Sequence, residues 1–459
     1  MRTDTIAAIA TGMSNSGIGI VRISGNEAFS VIDRLYRNKL GEKVKISDFA
    51  SHTVHYGMIY DGDELVDEAL VLIMKGPHSY TAEDTVEIDC HGGILMVKKI
   101  LEAVIHAGAR TAEPGEFTKR AFLNGRIDLS QAEAVADVIN ATNEYALKSS
   151  VSQLSGSVSR RIRELRSQIL YQIAFIESAL DDPEHISLDG YEGKLSTSLE
   201  TMTAQVKKLL DSADDGRVMT EGVKTVILGK PNAGKSSLMN VLLGEERAIV
   251  TEIAGTTRDT LEEHIYLQGI SLNVVDTAGI RDTQDVVEKI GVERARKAAG
   301  EADLIIFVVD GSCPLDDSDR EIMEFIRGRK SIILLNKSDL QVVVEKDELE
   351  RMSGQKVIPI SAKEEQGIEV LEQEIRRLFY HGELSFNDQV YITNVRHKEA
   401  LEQALSSLLM VKASIENHMP EDFFSIDLMN AYEQLGLIIG EAVDDDLVNE
   451  IFARFCMGK

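Results

Sequence analysis

The feature that most constrains the fold is a phosphate-binding loop motif. The run Gly229-Lys230-Pro231-Asn232-Ala233-Gly234-Lys235-Ser236 fits the pattern G-x-x-x-x-G-K-[ST]. It follows a β-branched run at 225–228 and precedes a helix-like stretch at 237–243. Glycines let backbone N–H groups turn toward phosphate oxygens, and the following helix points its positive end at the same place. We expect Lys235 to reach the outer phosphates and Ser236 to bind Mg²⁺.

The stretch around this loop alternates short apolar runs with amphipathic segments. This alternation predicts a parallel sheet covered by helices on both faces. The predicted strands are residues 225–228, 272–275, 304–309, 332–335 and 357–360.

Three further segments follow predicted strands and specify the nucleotide. Asp276-Thr277-Ala278-Gly279 is placed to hold the water shell of Mg²⁺ and to sense the γ-phosphate. In Asn336-Lys337-Ser338-Asp339, the Asp339 carboxylate can accept two hydrogen bonds from guanine, whereas adenine lacks both donors. Ser361-Ala362-Lys363 is placed to offer backbone N–H groups to guanine O6. Together with the loop, these segments predict GTP as the ligand.

The hydrolytic machinery departs from a common pattern. Many GTPases carry a Gln directly after D-x-x-G, but this position is Ile280, which cannot orient water. A monovalent cation held by Asn232 and by switch I carbonyls within residues 251–259 could replace the positive charge of an arginine finger. Glu288 is the best candidate for orienting the water, although its spacing fits a surface helix charge equally well.

The remaining chain divides into an α/β part and helical parts. Residues 94–107 predict a helix, and strands are predicted at 18–23, 52–60, 66–74 and 85–90. Helical spacing covers 129–180 and 194–212 with a break at 187–193, and Ser130 with Glu133 resembles a capping box. We therefore expect an α/β domain at 1–120, an α/β module at 221–380, and one discontinuous helical domain made of 121–220 and 381–459.

Composition limits the classes of function and the compartment. The 459 residues include 49 Lys and Arg against 76 Asp and Glu, a net charge of -27, which disfavours a general nucleic-acid coat or anionic-membrane binder. Three widely spaced cysteines form neither a disulfide framework nor a zinc pattern. With no apolar run near the length of a spanning helix and no signal peptide, the expected location is cytoplasmic.

Motifs throughout the chain carry a more specific resemblance. The motifs outside the GTP-binding segments are 18–24 (IGIVRIS), 91–93 (HGG), 114–118 (PGEFT), 120–125 (RAFLNG), 128–134 (DLSQAEA), 255–259 (GTTRD) and 455–459 (FCMGK). The chain resembles the MnmE (TrmE) family of tRNA modification GTPases, within the TrmE-Era-EngA-like GTPases. The resemblance runs from the first predicted strand to the last residue.

The resemblance implies a function. With an FAD-dependent partner, MnmG (GidA), this family adds a carboxymethylaminomethyl-type group at carbon 5 of the wobble uridine of tRNAs. Its N-terminal domain resembles folate-binding domains, mediates homodimerisation, and binds 5,10-methylenetetrahydrofolate or 5-formyltetrahydrofolate as the one-carbon source. Its G domain is a Ras-like P-loop domain that uses Mg²⁺ and K⁺.

The resemblance also implies a set of site residues. Mg²⁺ would be bound by Ser236 and Thr257, and K⁺ by Asn232, Thr251, Ile253 and Thr256. Folate would contact Arg22, Glu83, Arg126 and Lys459, Cys456 would serve the modification chemistry, and Glu288 would orient water with Asn232 assisting catalysis. GTP would contact Asn232, Ala233, Gly234, Lys235, Ser236, Ser237, Thr251, Glu252, Ile253, Ala254, Gly255, Thr256, Thr257, Asp276, Thr277, Ala278, Gly279, Asn336, Lys337, Asp339, Ser361, Ala362 and Lys363.

Two other functions compete with this one. A ribosome-assembly GTPase would carry a basic RNA-binding appendage, yet residues 382–459 hold 5 basic and 14 acidic residues. An interaction protein could use GTP only to dimerise, and folate binding would separate it from the modification enzyme. A cluster at 160–166, with four arginines, could contact tRNA, although a solvated helix face also explains it.

Overall fold

The computed structural model describes residues 4–244, 262–267, 270–275, 299–379, 390–441, 443, 445–453, 455 and 458. The chain forms two compact units. The first comprises Met1–Asn140, Ser150–Val206 and Glu399–Lys459, and the second comprises Ala141–Ser149 and Lys207–Lys398. None of the described helices is long and apolar enough to cross a membrane.

A seven-stranded sheet organises the first unit. Its strands are β1 (Ile6–Ile9), β2 (Ile18–Ser24), β3 (Tyr36–Asn38), β4 (Thr53–Asp61), β5 (Glu64–Met74), β6 (Thr85–His91) and β7 (Arg110–Thr111). They lie in the order β3-β4-β5-β6-β2-β1-β7, and only the β1–β7 pair is parallel. Alternate residues such as Val71, Ile73, Val86 and Ile88 are buried on one face, as a half-covered antiparallel sheet requires.

Helices cover that buried face and continue into a helical layer. Helices α1 (Ala28–Leu35) and α2 (Ile94–His106) supply core residues to it, including Ile32 and Ile100. The chain continues through α3 (Glu116–Leu123), α4 (Leu129–Asn140), α5 (Glu144–Leu154), α6 (Ser157–Asp181) and α7 (Tyr191–Glu221).

The second unit is built on a six-stranded sheet. Its strands are β8 (Val223–Leu228), β9 (Glu262–Leu267), β10 (Ile270–Val275), β11 (Leu304–Asp310), β12 (Ser331–Asn336) and β13 (Lys356–Pro359), in the order β13-β12-β11-β8-β10-β9. All pairs are parallel except β9–β10. The described helices here are α8 (Lys235–Leu242), α9 (Asp317–Ile326), α10 (Lys346–Ser353) and α11 (Ile368–Phe379). Apolar cores lie on both faces of the sheet, which explains the unbroken burial of β11 and β12.

The last helices are α12 (Val395–Glu416), α13 (Glu421–Ile439) and α14 (Asp445–Ala453). Helix α13 packs along α6 although the α/β module (the G module, residues 221–380) separates them in sequence, so the predicted discontinuous helical domain is confirmed. Arg166 of α6 donates to the Tyr432 carbonyl at 3.2 Å and lies 3.9 Å from the centre of the Tyr432 ring.

One local prediction is wrong. The capping box is formed by Asp128 and Gln131, not by Ser130 and Glu133. The Asp128 carboxylate accepts from the Gln131 N–H at 3.1 Å, and the Gln131 side chain accepts from the Asp128 N–H at 3.1 Å. Because α4 begins at Leu129, Ser130 lies inside the first turn, where its hydroxyl donates to Asp128 instead.

Candidate functional site

The phosphate-binding loop joins β8 to α8, as the motif requires. Gly229, Asn232 and Gly234 have φ angles of 149°, 64° and 102°, so the loop turns through the left-handed region that glycine favours. Helix α8 begins at Lys235, and its N-terminus therefore faces the loop. The Lys235 ammonium donates to the carbonyls of Gly229 and Lys230 at 2.7 Å each, which folds it back over the loop.

Asn336 connects the loop to the predicted base-binding segments. It ends β12 and is 3% exposed. Its amide nitrogen donates to the Ala233 carbonyl at 2.8 Å, and its amide oxygen accepts from the Ala362 N–H at 3.0 Å. A Cβ on Gly234 would lie 2.0 Å from the Asn336 amide nitrogen, so this contact requires glycine there. Asn336 thus holds three segments distant in sequence in one place.

The Ser361 hydroxyl holds the Asp339 side chain beside these segments. Its carboxylate accepts from the Ser361 Oγ at 2.6 Å, and this bond is the main reason that the pKa of Asp339 lies below its usual value. An exposed, ionised carboxylate with one further oxygen is suited to accept from the N–H groups of guanine.

Lys337, in the same segment as Asn336 and Asp339, forms an ion pair with a residue that the motifs did not predict. Its ammonium lies 2.6 Å from Asp310 at the end of β11. Burial alone would raise the pKa of Asp310, but hydrogen bonds from Lys337 and Ser312 outweigh burial and lower it. Asp310 follows an apolar strand like the other site residues, and that position was the available signal.

A second set of ion pairs connects the phosphate-binding loop to helix α9. The Lys230 ammonium lies 2.6 Å from Asp319 and 2.8 Å from Asp316 at the start of α9. Burial alone would lower the pKa of Lys230, but the two carboxylates outweigh burial and raise it. The side chain of a variable motif position is therefore tied to a neighbouring helix, which fixes the first turn of the loop.

Several predicted residues lie outside the described residues. They are the switch I positions Thr251, Glu252, Ile253, Ala254, Gly255, Thr256 and Thr257, the segment Asp276, Thr277, Ala278 and Gly279, and Glu288, Cys456 and Lys459. Their assigned roles stay predictions. The described part brings together the other predicted GTP-binding positions at the carboxyl ends of β8, β12 and β13.

A second group of predicted residues surrounds Tyr80 in the first unit. The guanidinium carbon of Arg22 lies 5.2 Å from the centre of the Tyr80 ring, and that of Arg126 lies 4.7 Å from it. Arg22 also pairs with Glu87 at 2.7 Å, across the register of β2 and β6. The structure therefore brings two of the proposed folate contacts to one aromatic ring, which no sequence pattern indicated.

Glu83, the third proposed folate contact among the described residues, lies in a network of buried polar groups. Its carboxylate accepts from Ser24 Oγ at 2.8 Å and from the Arg120 Nη1 at 3.1 Å. Arg120 is 7% exposed and also pairs with Glu116 at 3.0 Å. Burial alone would raise the pKa of Glu116, but hydrogen bonds from Arg110, the backbone and Arg120 outweigh burial and lower it.

Helix α3 holds the loop that carries Glu83. Asn124 donates to the Thr81 carbonyl at 2.8 Å, and the Thr118 hydroxyl lies 2.8 Å from the Tyr80 hydroxyl. Arg120 and Asn124 belong to one of the sequence motifs, but the motif did not suggest that they hold this loop. The residues that they contact, Glu83 and Thr81, lie about 40 residues earlier in the chain.

The end of the chain reaches this second group. The Gly458 carbonyl accepts from Arg22 Nη1 at 3.5 Å, although 436 residues separate the two in sequence. A Cβ on Gly458 would lie 2.2 Å from the Ile9 carbonyl oxygen, so the glycine permits a close approach to the end of β1. This contact places the neighbour of Lys459 beside a proposed folate contact.

Comparisons with known proteins identify the family of the chain. Residues 129–456 match the model of the MnmE helical domain, and residues 5–126 match that of the GTP-binding protein TrmE N-terminus. The chain is 60% identical to the tRNA modification GTPase MnmE of Lachnoclostridium phytofermentans over 100% of both chains. It is 47% identical to the tRNA modification GTPase MnmE of Clostridioides difficile over 99% of both. A crystal structure of the G domain of the T. maritima FeoB iron transporter is 28% identical, covering 34% of this chain and 98% of that one with a TM-score of 0.27. The chain belongs to the MnmE family of tRNA modification GTPases.

Proposed function

We propose that this GTPase couples GTP hydrolysis to the modification of the wobble uridine of tRNA. The observation that carries the proposal is the meeting of three GTP-binding segments around Asn336, in a chain with full-length similarity to tRNA modification GTPases. The loop N–H groups and Lys235 would bind the phosphates, and Asp339 would select guanine.

The donors in the loop are suited to two metal ions. Ser236 is exposed in the first turn of α8 and offers a hydroxyl oxygen, which suits Mg²⁺ together with Thr257. Asn232 is exposed in the loop and offers an amide oxygen, which suits K⁺ with Thr251, Ile253 and Thr256. When bound, K⁺ would supply the positive charge of an arginine finger, and Glu288 would orient the attacking water in place of the Gln that is absent after D-x-x-G.

GTP hydrolysis in potassium and in sodium chloride at equal ionic strength tests this part, with ATP as the control nucleotide. We expect strong stimulation by potassium, no ATP turnover, and loss of the potassium effect in Asn232→Ala. Equal rates in both salts would contradict the cation mechanism and would point to an external activating protein.

The modification chemistry would need a partner and a one-carbon donor. We propose that the chain acts in the cytoplasm with the FAD-dependent protein MnmG (GidA) to add a carboxymethylaminomethyl-type group at carbon 5 of uridine. A reduced folate, 5,10-methylenetetrahydrofolate or 5-formyltetrahydrofolate, would supply the one-carbon unit. Cys456 would take part in this chemistry.

The polar groups around Tyr80 are suited to a folate. Glu83 offers a carboxylate to the N–H groups of a pterin, and Arg22 and Arg126 offer cations to the carboxylates of the glutamate tail. Lys459 would add a further cation. Titration of the full chain with 5-formyltetrahydrofolate, followed by calorimetry, tests this site. We expect saturable binding that Arg22→Met weakens, and no binding by the wild type would exclude the folate role.

The open face of the first sheet supports homodimerisation. Ile18, Val54, Tyr56 and Leu70 are 60%, 52%, 49% and 42% exposed. Register places Tyr56 opposite Leu70, so at least these two residues form one apolar surface. Apolar area of this kind on a sheet face marks an interaction site, and we propose that a second copy of the chain covers it.

A further inference from the structure

A basic segment stands out on an acidic protein. Residues 34–45 contain five basic residues and one acidic residue, a net of +4, whereas the whole chain carries -27. We call this the basic edge segment, because it contains β3, the edge strand of the seven-stranded sheet. Its cations are Arg34, Arg37, Lys39, Lys43 and Lys45.

The turn within this segment is held by its own hydrogen bonds. The Asn38 side-chain oxygen accepts from the N–H groups of Leu40 and Glu42 at 2.9 and 3.0 Å, and its nitrogen donates to the Glu42 carboxylate at 3.0 Å. Gly41 has a φ of 79°, and the backbones of Arg37 and Lys43 form an isolated antiparallel β-bridge across the turn. The single carboxylate is thus bound to Asn38, while Lys39 and Lys43 are exposed on a defined turn.

These lysines differ from the other basic cluster of this unit. On α6, Arg161 pairs with Glu164 at 2.9 Å, Arg163 pairs with Asp128 at 3.3 Å, and Arg166 pairs with Glu441. Lys39, Lys43 and Lys45, in contrast, have no ion pair with any carboxylate among the residues that the structure describes. The positive charge of the α6 cluster is largely neutralised within the protein. In the basic edge segment Arg37 pairs with Asp63 at 3.7 Å, whereas the charges of Lys39, Lys43 and Lys45 are presented to solvent.

We propose that the basic edge segment contacts the phosphate backbone of tRNA. The proposal rests on the tRNA substrate of the proposed function and names the surface that would meet it. A strongly acidic protein repels a polyanion at long range, so association needs a local surface where phosphates meet unneutralised cations. The segment provides these cations on a turn whose backbone is already ordered, and such contacts fix position without reading sequence.

Lysines on an edge strand have a second explanation, since charge there also prevents edge-to-edge aggregation. Replacing lysine by glutamate separates the two roles, because glutamate keeps the edge charged but repels phosphate. The test variant is therefore K39E/K43E/K45E. The matched control is K194E/K207E/K208E, which makes the same change of charge at three exposed lysines on α7.

Binding of a fluorescently labelled tRNA transcript to the full chain is measured by anisotropy over a range of salt concentrations. We expect the test variant to lose about ten-fold or more in affinity at low salt, and the slope of log affinity against log salt to fall by roughly 2 to 3. The control variant should bind within about two-fold of the wild type, apart from the general effect of net charge. Both variants should keep the wild-type melting temperature and GTP hydrolysis rate.

Four results would overturn the proposal. Equal losses in both variants would show that only net charge matters, and unchanged binding in the test variant would place the tRNA surface elsewhere. Loss of binding to phosphatidylserine vesicles, with tRNA binding unchanged, would assign the segment to a membrane. If the wild type hydrolyses GTP but binds no tRNA, the tRNA step of the proposed function fails together with this surface.

Discussion

Asp339 is the residue that we propose selects the guanine base. Its exposed carboxylate is oriented by Ser361 and is ionised at neutral pH, since the hydrogen bond lowers its pKa. We expect Asp339→Asn to reduce GTP turnover by on the order of a hundred-fold, because an amide can accept from only one of the two guanine donors. The same variant should gain activity on xanthosine triphosphate, whose C2 oxygen can accept from the new amide.

Steady-state kinetics with both nucleotides measure this exchange. Ser361→Ala is the control, because it loosens the carboxylate without changing its hydrogen-bonding character. It should raise the KM for GTP and leave xanthosine triphosphate inactive. An Asp339→Asn variant that loses GTP turnover without gaining any on xanthosine triphosphate would mean that Asp339 has only a structural role.

Arg120 affects both stability and the proposed folate site. Its guanidinium is nearly buried between Glu83 and Glu116, so Arg120→Met leaves Glu83 without its cation, whereas Glu116 keeps its pair with Arg110. Breaking a buried pair in this way costs about 3 to 5 kcal/mol. We therefore expect a lower melting temperature, together with weaker binding of 5-formyltetrahydrofolate.

A double-mutant cycle with Glu83→Gln separates these two effects. If Arg120 acts on folate through Glu83, the two substitutions should be non-additive in folate binding by about 0.5 to 3 kcal/mol. Arg120→Lys keeps the charge and should restore part of the stability. Additive losses of folate affinity would show that Arg120 contributes only to folding.

At the scale of elements, helix α4 carries a carboxyl whose charge opposes folding. Burial, with a further contribution from Glu133 one turn earlier, raises the pKa of Asp137 to about 6 from its usual 3.8. The folded protein therefore binds this proton more tightly than the unfolded chain does. Ionised Asp137 destabilises the fold above about pH 6, and this destabilisation disappears as the pH falls toward 3.8.

Asp137→Asn should remove this pH dependence. At pH well above 6 we expect the variant to be more stable than the wild type by up to about 3 kcal/mol, and near pH 4 we expect no difference. Chemical denaturation at the two pH values measures the change. Asp181→Asn, at an exposed position on α6, is the control and should be neutral at both. A variant that is equally stabilised at both pH values would contradict the titration of Asp137.

Elements were predictable where a local pattern determines them. The strands β2, β4, β5 and β6 and helix α2 were predicted within about two residues, because their apolar periodicity spans the whole element. Helix α1 was not predicted, nor were the short strands β1, β3 and β7. Strands of two to four residues are defined by partners far away in sequence. The predicted GTP-binding segments are likewise recognisable because each is a local sequence pattern, whereas Asp310, Arg120 and Tyr80 make contacts that no local pattern contains.

At the scale of the whole molecule, the sequence predicted that a G module interrupts a helical domain, and packing of α6 against α13 confirms it. What the sequence could not predict is the open face of the first sheet. Alternation in β4 and β5 shows that one face is apolar and buried, yet the opposite face also carries Val54, Tyr56 and Leu70. An antiparallel sheet with one solvated face usually has polar residues there, so these three are an exception that an interface explains.

Introducing charge on this face should separate the proposed dimer. We expect V54E/L70E to elute at the mass of one chain, because two buried carboxylates per copy would face an apolar surface without partners. Leu95→Glu is the control, since Leu95 is 73% exposed on α2 and belongs to the other side of the sheet. Light scattering after gel filtration gives the masses.

If the wild type is a dimer and V54E/L70E remains one with an unchanged melting temperature, the subunits associate through another surface. If the variant becomes monomeric and also loses potassium-stimulated GTP hydrolysis, then association through the first unit supports catalysis in the second.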